Sequence, residues 1–136
     1  MARLPRRAAL LLPFLLLPAT PRAGQPVPPF PEWVGRTARL KSTAGDARLL
    51  LAGDGTGLIA VRAFFLCRPL PVLSWRIAES GRALSYRRQS AILAGRVIEG
   101  SARIDDAAAA LHWVEAREHM AEFEGFETAA AAGTCG

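Results

Sequence analysis

The chain is poor in the residues on which most catalytic signatures depend. It has two cysteines, Cys67 and Cys135, far apart and in no CxxC pair, which removes a thiol-exchange motif. Its two histidines, His112 and His119, stand seven apart, whereas the HExxH zinc motif needs them four apart. Neither Ser80 nor Ser101 lies in a Gly-x-Ser-x-Gly elbow, so serine chemistry has no foothold. Asp54 is followed by Gly55 and not by the Thr-Gly or Ser-Gly of an aspartic protease. No internal repeat is present. No apolar run reaches the ~20 residues that a membrane-spanning helix requires.

What is present begins with residues 1–23. Arg3, Arg6 and Arg7 form a positive start, Ala8 to Leu17 is apolar apart from Pro13, and small or polar residues follow. This is the layout of a secretory signal peptide, with cleavage expected after Ala19 or Ala23. The expectation is therefore an exported protein, periplasmic if bacterial and otherwise secreted, with no transmembrane segment in the mature chain. No cysteine near the end of the apolar run offers a lipid anchor.

Export changes the charge argument. Four of the 17 basic residues, Arg3, Arg6, Arg7 and Arg22, lie in the leader, which leaves 13 against 12 acidic ones. Nucleic-acid binding loses its main support. A lengthwise asymmetry remains. Residues 33–103 carry 12 basic groups against Asp46, Asp54, Glu79 and Glu99, whereas residues 104–136 carry Arg117 against seven acids. The simplest consequence is that the acidic segment pairs with the basic body. In an oxidising compartment an isolated cysteine pair is expected to form a structural disulfide. A Cys67–Cys135 bond would tether the tail, residues 129–136, to the domain.

Residues 24–32 hold four prolines and read as an extended linker. From Arg36 onward the apolar period is two, the strand period. Ala38/Leu40, Leu49/Leu51, Ile59/Val61/Ala63/Phe65, Leu73/Trp75/Ile77, Leu84/Tyr86, Ile98/Gly100/Ala102/Ile104 and Leu111/Trp113 mark seven candidate strands. Between them lie turn residues, including Gly53-Asp54-Gly55-Thr56-Gly57 and Glu79-Ser80-Gly81-Arg82. The Gly53–Gly57 run lacks the following helix that a phosphate-cradling loop needs. Cys67-Arg68-Pro69-Leu70-Pro71 is not expected to be a central strand, because its prolines cannot donate. Asp105 to Phe126 is ambiguous. Its composition favours helix, but Leu111/Trp113 and Ala121/Phe123 alternate, which favours strands. The expected fold is a mainly β, antiparallel up-and-down meander over residues 33–128. It would be a small seven- or eight-stranded barrel with a possible short C-terminal helix.

Trp33 and Gly35 near the first strand, the Asp54-Gly55-Thr56-Gly57 hairpin and the tryptophans on later strands resemble the lipocalin-like (calycin) barrels. The usual opening of that family is Gly-x-Trp, whereas here Trp33 precedes Gly35. The resemblance implies a barrel that binds a ligand or partner at one mouth without catalysis. The ligand lining would come from Phe65, Trp75, Tyr86, Trp113 and Phe123, which would otherwise fill a packed core. Arg87 and Arg88 read as a solvated strand face. No cofactor, metal or catalytic residue is assigned. The expected function is a non-enzymatic binding module for a small apolar ligand or an envelope protein. The alternatives are an inhibitor of an exported hydrolase and a metal-dependent hydrolase using His112–His119. On a strand those two histidines have opposite parity and point to opposite faces.

Overall fold

The computed structural model describes residues 26–43, 45–63 and 66–127, with only the backbone of Ala63. The expected leader, Phe65, Cys135 and the tail 129–136 lie outside the described residues. A 3-10 helix, Phe30–Trp33, precedes eight strands. They are β1 (Thr37–Ser42), β2 (Gly45–Leu51), β3 (Gly57–Ala63), β4 (Leu66–Ile77), β5 (Ala83–Gln89), β6 (Val97–Asp105), β7 (Ala110–Val114) and β8 (Glu118–Phe126). Each strand pairs antiparallel with the next, and β1 pairs with β8 to close the barrel. The fold is an up-and-down meander, as the period-two pattern predicts.

The ambiguous stretch resolves as strand. Asp105 and Asp106 make a turn: Ala108 N–H donates to Asp105 Oδ1 (3.2 Å) and Ala109 N–H to the Asp106 carbonyl (3.2 Å). β7 and β8 follow, so the expected C-terminal helix is absent among the described residues. Pairing with β1 and β6 outweighs the local helix propensity of the alanines and glutamates. Closure needs an irregularity. Ala38 faces Phe126 but Leu40 faces Phe123, so β8 carries one extra residue there, and Gly125 takes the positive φ (108°) of that bulge.

Two further expectations are corrected. Pro69 and Pro71 do lie within β4. Being two apart they share parity, so their missing donors point the same way. Residues 66–71 pair with β3, and β5 pairing begins only at Val72. The prolines thus lie where β4 has one paired neighbour only, an edge position that tolerates a missing donor. The second correction concerns residues 24–32, expected as a linker. Val27 and Phe30 are buried in the core with Trp33. Phe30 N–H donates to the Gly81 carbonyl (2.8 Å), Gly35 N–H to Leu51 (2.7 Å), and the Trp33 indole to Pro28 (2.9 Å). The prolines hold this segment extended while Phe30 and Trp33 enter one end of the barrel.

That end is packed with rings. Centroids lie 4.8 Å apart for Phe30 and Trp33, 5.2 Å for Trp33 and Phe123, and 5.1 Å for Phe123 and Phe126. The Arg36 guanidinium stands 3.8 Å from the Phe126 ring centre. The loops β2–β3, β4–β5 and β6–β7 gather here, and the opposite end is open among the described residues. Along the wall, the acidic segment meets the basic body: Arg48 with Glu127, Arg82 with Asp106, Arg88 with Glu115 and Arg103 with Glu118.

Candidate functional site

At the open end a cavity of about 340 Å³ enters the barrel. Its wall is apolar because the inward positions of several strands converge there: Leu40 of β1, Ala47 and Leu49 of β2, Ile59 and Val61 of β3, Leu70 of β4, Trp113 of β7 and Ala121 of β8. Arg88, Glu115 and His119 add polar groups on one side of the lining, and Ser42, Arg48 and Arg68 add others.

Arg88 and Glu115 belong to one connected chain of hydrogen bonds with Tyr86 and Trp113. The Trp113 indole N–H donates to Tyr86 Oη (2.7 Å), and the Tyr86 hydroxyl donates to Glu115 Oε2. Arg88 holds the same carboxylate with two arms, Nε to Oε2 (2.9 Å) and Nη2 to Oε1 (2.6 Å). Both side chains of this ion pair are largely buried, at 14% exposure for Arg88 and 22% for Glu115. Such a pair is stable only with its remaining lone pairs and protons satisfied. Tyr86 takes up one carboxylate lone pair, and the Gln89 carbonyl takes an Arg88 N–H (2.8 Å).

The electrostatics follow from this geometry. Burial pushes the Tyr86 phenol well above its ordinary value, and the adjacent Glu115 carboxylate adds to the rise. The group stays protonated and acts as a donor. Burial raises Glu115, but the hydrogen bonds from Arg88 and Tyr86 outweigh it and hold the carboxyl below its usual range. Arg88 is pushed up chiefly by its bond to Glu115. The result is a fixed ion pair on an apolar wall, with no nucleophile activated by it. His119, a cross-strand partner of Trp113, also faces the cavity and makes no hydrogen bond with the described residues.

The rings expected to line a ligand site divide. Trp113 lines the cavity, and Tyr86 lies buried against it at a centroid distance of 5.7 Å. Phe123 is buried at the closed end beneath Trp33. Trp75 is half-buried, with its indole N–H on the Thr56 carbonyl (2.8 Å), also toward the closed end. Phe65 lies outside the described residues.

Arg88, Glu115 and His119 were not singled out as cavity groups by sequence, yet two were legible. Arg88 shares parity with Leu84 and Tyr86, and His119 with Ala121 and Phe123. Arg87, one residue off, is exposed beside Glu99 (3.9 Å).

His112 lies outside the barrel between two carboxylates, Nε2 to Asp105 Oδ2 (2.9 Å) and Nδ1 to Glu118 Oε2 (2.6 Å). His112 and His119 therefore do not converge. Among the described residues no group of three or more His, Cys, Asp or Glu side chains is placed to hold a metal. Gly53 to Gly57 is a hairpin turn, with Asp54 Oδ1 accepting from the Thr56 N–H (2.9 Å) and hydroxyl (2.6 Å). Cys67 lies near the start of β4, and Cys135, its expected partner, is outside the described residues. Compared with protein-family models, curated proteins and solved structures, the chain has no match.

Proposed function

We propose that this protein is a non-enzymatic binding module of the lipocalin-like kind, acting outside the cytoplasm and holding a small, mainly apolar ligand in its open mouth. The observation that carries this reading is the cavity of about 340 Å³ with a mainly apolar wall, to which Ser42, Arg48, Arg68, Arg88, Glu115 and His119 add polar groups. Small-molecule sites commonly occupy ~300–1,000 Å³ and combine an apolar wall with a few fixed polar groups. The buried Arg88–Glu115 pair already satisfies its own charges, so it suits orienting a polar end of a ligand better than proton transfer. The closed end supplies the rigid floor.

Titration with an uncharged naphthylamine dye tests the reading. Saturable one-to-one binding is expected, with quenching of Trp113 fluorescence, and Ala121→Trp should abolish it by filling the mouth. Absence of saturable binding to the folded protein would overturn it. Export and the Cys67–Cys135 bond belong to the same proposal. Intact mass of the secreted protein should show loss of the leader and a gain of two hydrogens on reduction.

A further inference from the structure

Two features of the mouth are left unused by ligand holding: its exposed aliphatic tip and the exposed arginines of its rim. The β5–β6 loop is a built turn. The Ser90 hydroxyl accepts from the Ile92 and Leu93 N–H groups (both 3.1 Å), Ser90 N–H donates to the Arg96 carbonyl (2.8 Å), and Arg96 N–H to Leu93 (3.1 Å). This turn presents Ile92 at 88% exposure and Leu93 at 51%. The side chain of Arg68 bridges to the loop through the Ala91 carbonyl (2.9 Å), which ties β4 to it, and Leu66 at the start of β4 is exposed as well. Single exposed apolar residues are ordinary on any surface. Adjacent ones fixed at a turn beside a cavity entrance are not.

Charge gives the partner. Arg68, Arg96 and Arg117 are exposed around the mouth. The nearby acids have basic neighbours: Glu115 turns inward to Arg88, Asp46 faces Lys41 and Arg62 in register, Glu99 lies by Arg87, Glu118 meets His112 and Arg103, and Glu122 faces Lys41 in register. The closed end exposes charges of both signs, Glu32, Asp54, Glu79 and Asp106 with Arg36 and Arg76, and Arg82 is bound to Asp106. The mouth therefore sets three exposed arginines beside an exposed apolar tip, a combination the closed end does not repeat.

We propose that the mouth docks on an anionic lipid surface, with Ile92 and Leu93 entering the headgroup boundary and Arg96 and Arg117 pairing with lipid phosphates. Apolar insertion combined with basic attraction is the general means by which surface-bound proteins hold a bilayer. The proposal places the cavity entrance against the membrane, which extends the ligand-holding reading. Its test uses vesicles without dye, so failure of one leaves the other standing.

The test is co-sedimentation of the protein, purified as the producing cell delivers it, with phosphatidylcholine vesicles with and without phosphatidylglycerol. Binding is expected only with the anionic lipid, weakening as salt rises. Replacing both tip residues, Ile92→Ser with Leu93→Ser, should weaken partitioning about tenfold or more. Arg96→Gln with Arg117→Gln should weaken it by a similar factor. Met120→Ser, on the outer wall, should leave it unchanged, and all variants should keep the parent's melting temperature. The proposal is overturned if anionic vesicles are not bound, or if the tip variant binds them as well as the parent. Capture of an envelope protein through the tip without vesicle binding would also overturn it.

Discussion

Tyr86 of β5 and Gly100 of β6 are cross-strand partners, and the tyrosine ring occupies the space where a side chain of residue 100 would begin. The glycine therefore sets where the Tyr86 ring lies. By leaving its Cβ position empty it lets the phenol lie flat and reach Glu115.

Gly100→Ala should push the Tyr86 ring off its partners. The expected cost is about 1–3 kcal/mol, the usual range for overpacking. Urea unfolding measures it, and a change in Trp113 fluorescence should accompany it, since the indole loses its acceptor. A fully stable variant with unchanged fluorescence would show that the ring has room elsewhere.

Tyr86 is the only tyrosine in the chain, so alkaline absorbance titration reads it alone. Its folded pKa lies above the ordinary 10. The sign follows from linkage. The phenol's contribution to stability is complete below about pH 10 and is lost as pH rises toward the folded value. Tyrosinate absorbance should therefore appear only as the fold is lost, and Glu115→Gln should let it appear at lower pH. Ordinary titration of the folded protein near pH 10 would contradict the hydrogen-bond assignment.

On the outer wall, Asp105 and Glu118 raise the His112 pKa above 6.5, the Asp105 bond being the larger cause. The protonated clasp joins the β6 end to β7 and β8. It stabilises fully below about pH 6.5 and fades as pH rises through the raised value. Comparing the protein with His112→Gln by urea unfolding across this range should show a difference that is largest on the acid side. A difference that grows with pH would reverse the assignment. Because the site is exposed, its size should fall with salt.

Phe30 and Trp33, both fully buried, close the floor. Phe30→Ala should cost about 3–5 kcal/mol, as large aromatic truncations do. If the segment before Trp33 were a linker, the same change would be nearly neutral. Calorimetric melting distinguishes the two.

Much of the barrel was legible because one face of each strand is apolar at period two. Leu84 and Tyr86, or Ile98 to Ile104, can be read as strand from spacing alone. Where the reading missed, a non-local cause was at work. Pro69 and Pro71 fit β4 only because β5 reaches no further than Val72, and no local pattern shows how far a neighbour extends. Val27 and Phe30 look like linker because proline fixes the backbone without revealing what the intervening side chains bury. Arg88 and His119 keep inward parity but were masked by their polarity, since an interior arginine depends on Glu115, which lies on a turn remote in sequence. The cavity itself follows from the unequal filling of the two ends, which spacing does not report.

The seam between β1 and β8 sets the order in which the molecule can assemble. Each other pairing joins neighbours in the chain, so hairpins can form in succession, but the seam brings together the two ends of the domain. Contacts of such long separation are slow to form. Until β8 arrives, the sheet has two exposed edges, and the floor lacks Phe123 and Phe126, the rings against which Trp33 rests. The last strand is therefore both the lock on the sheet and the missing side of its floor. A chain lacking it should not form a smaller barrel but remain an open ribbon prone to self-association.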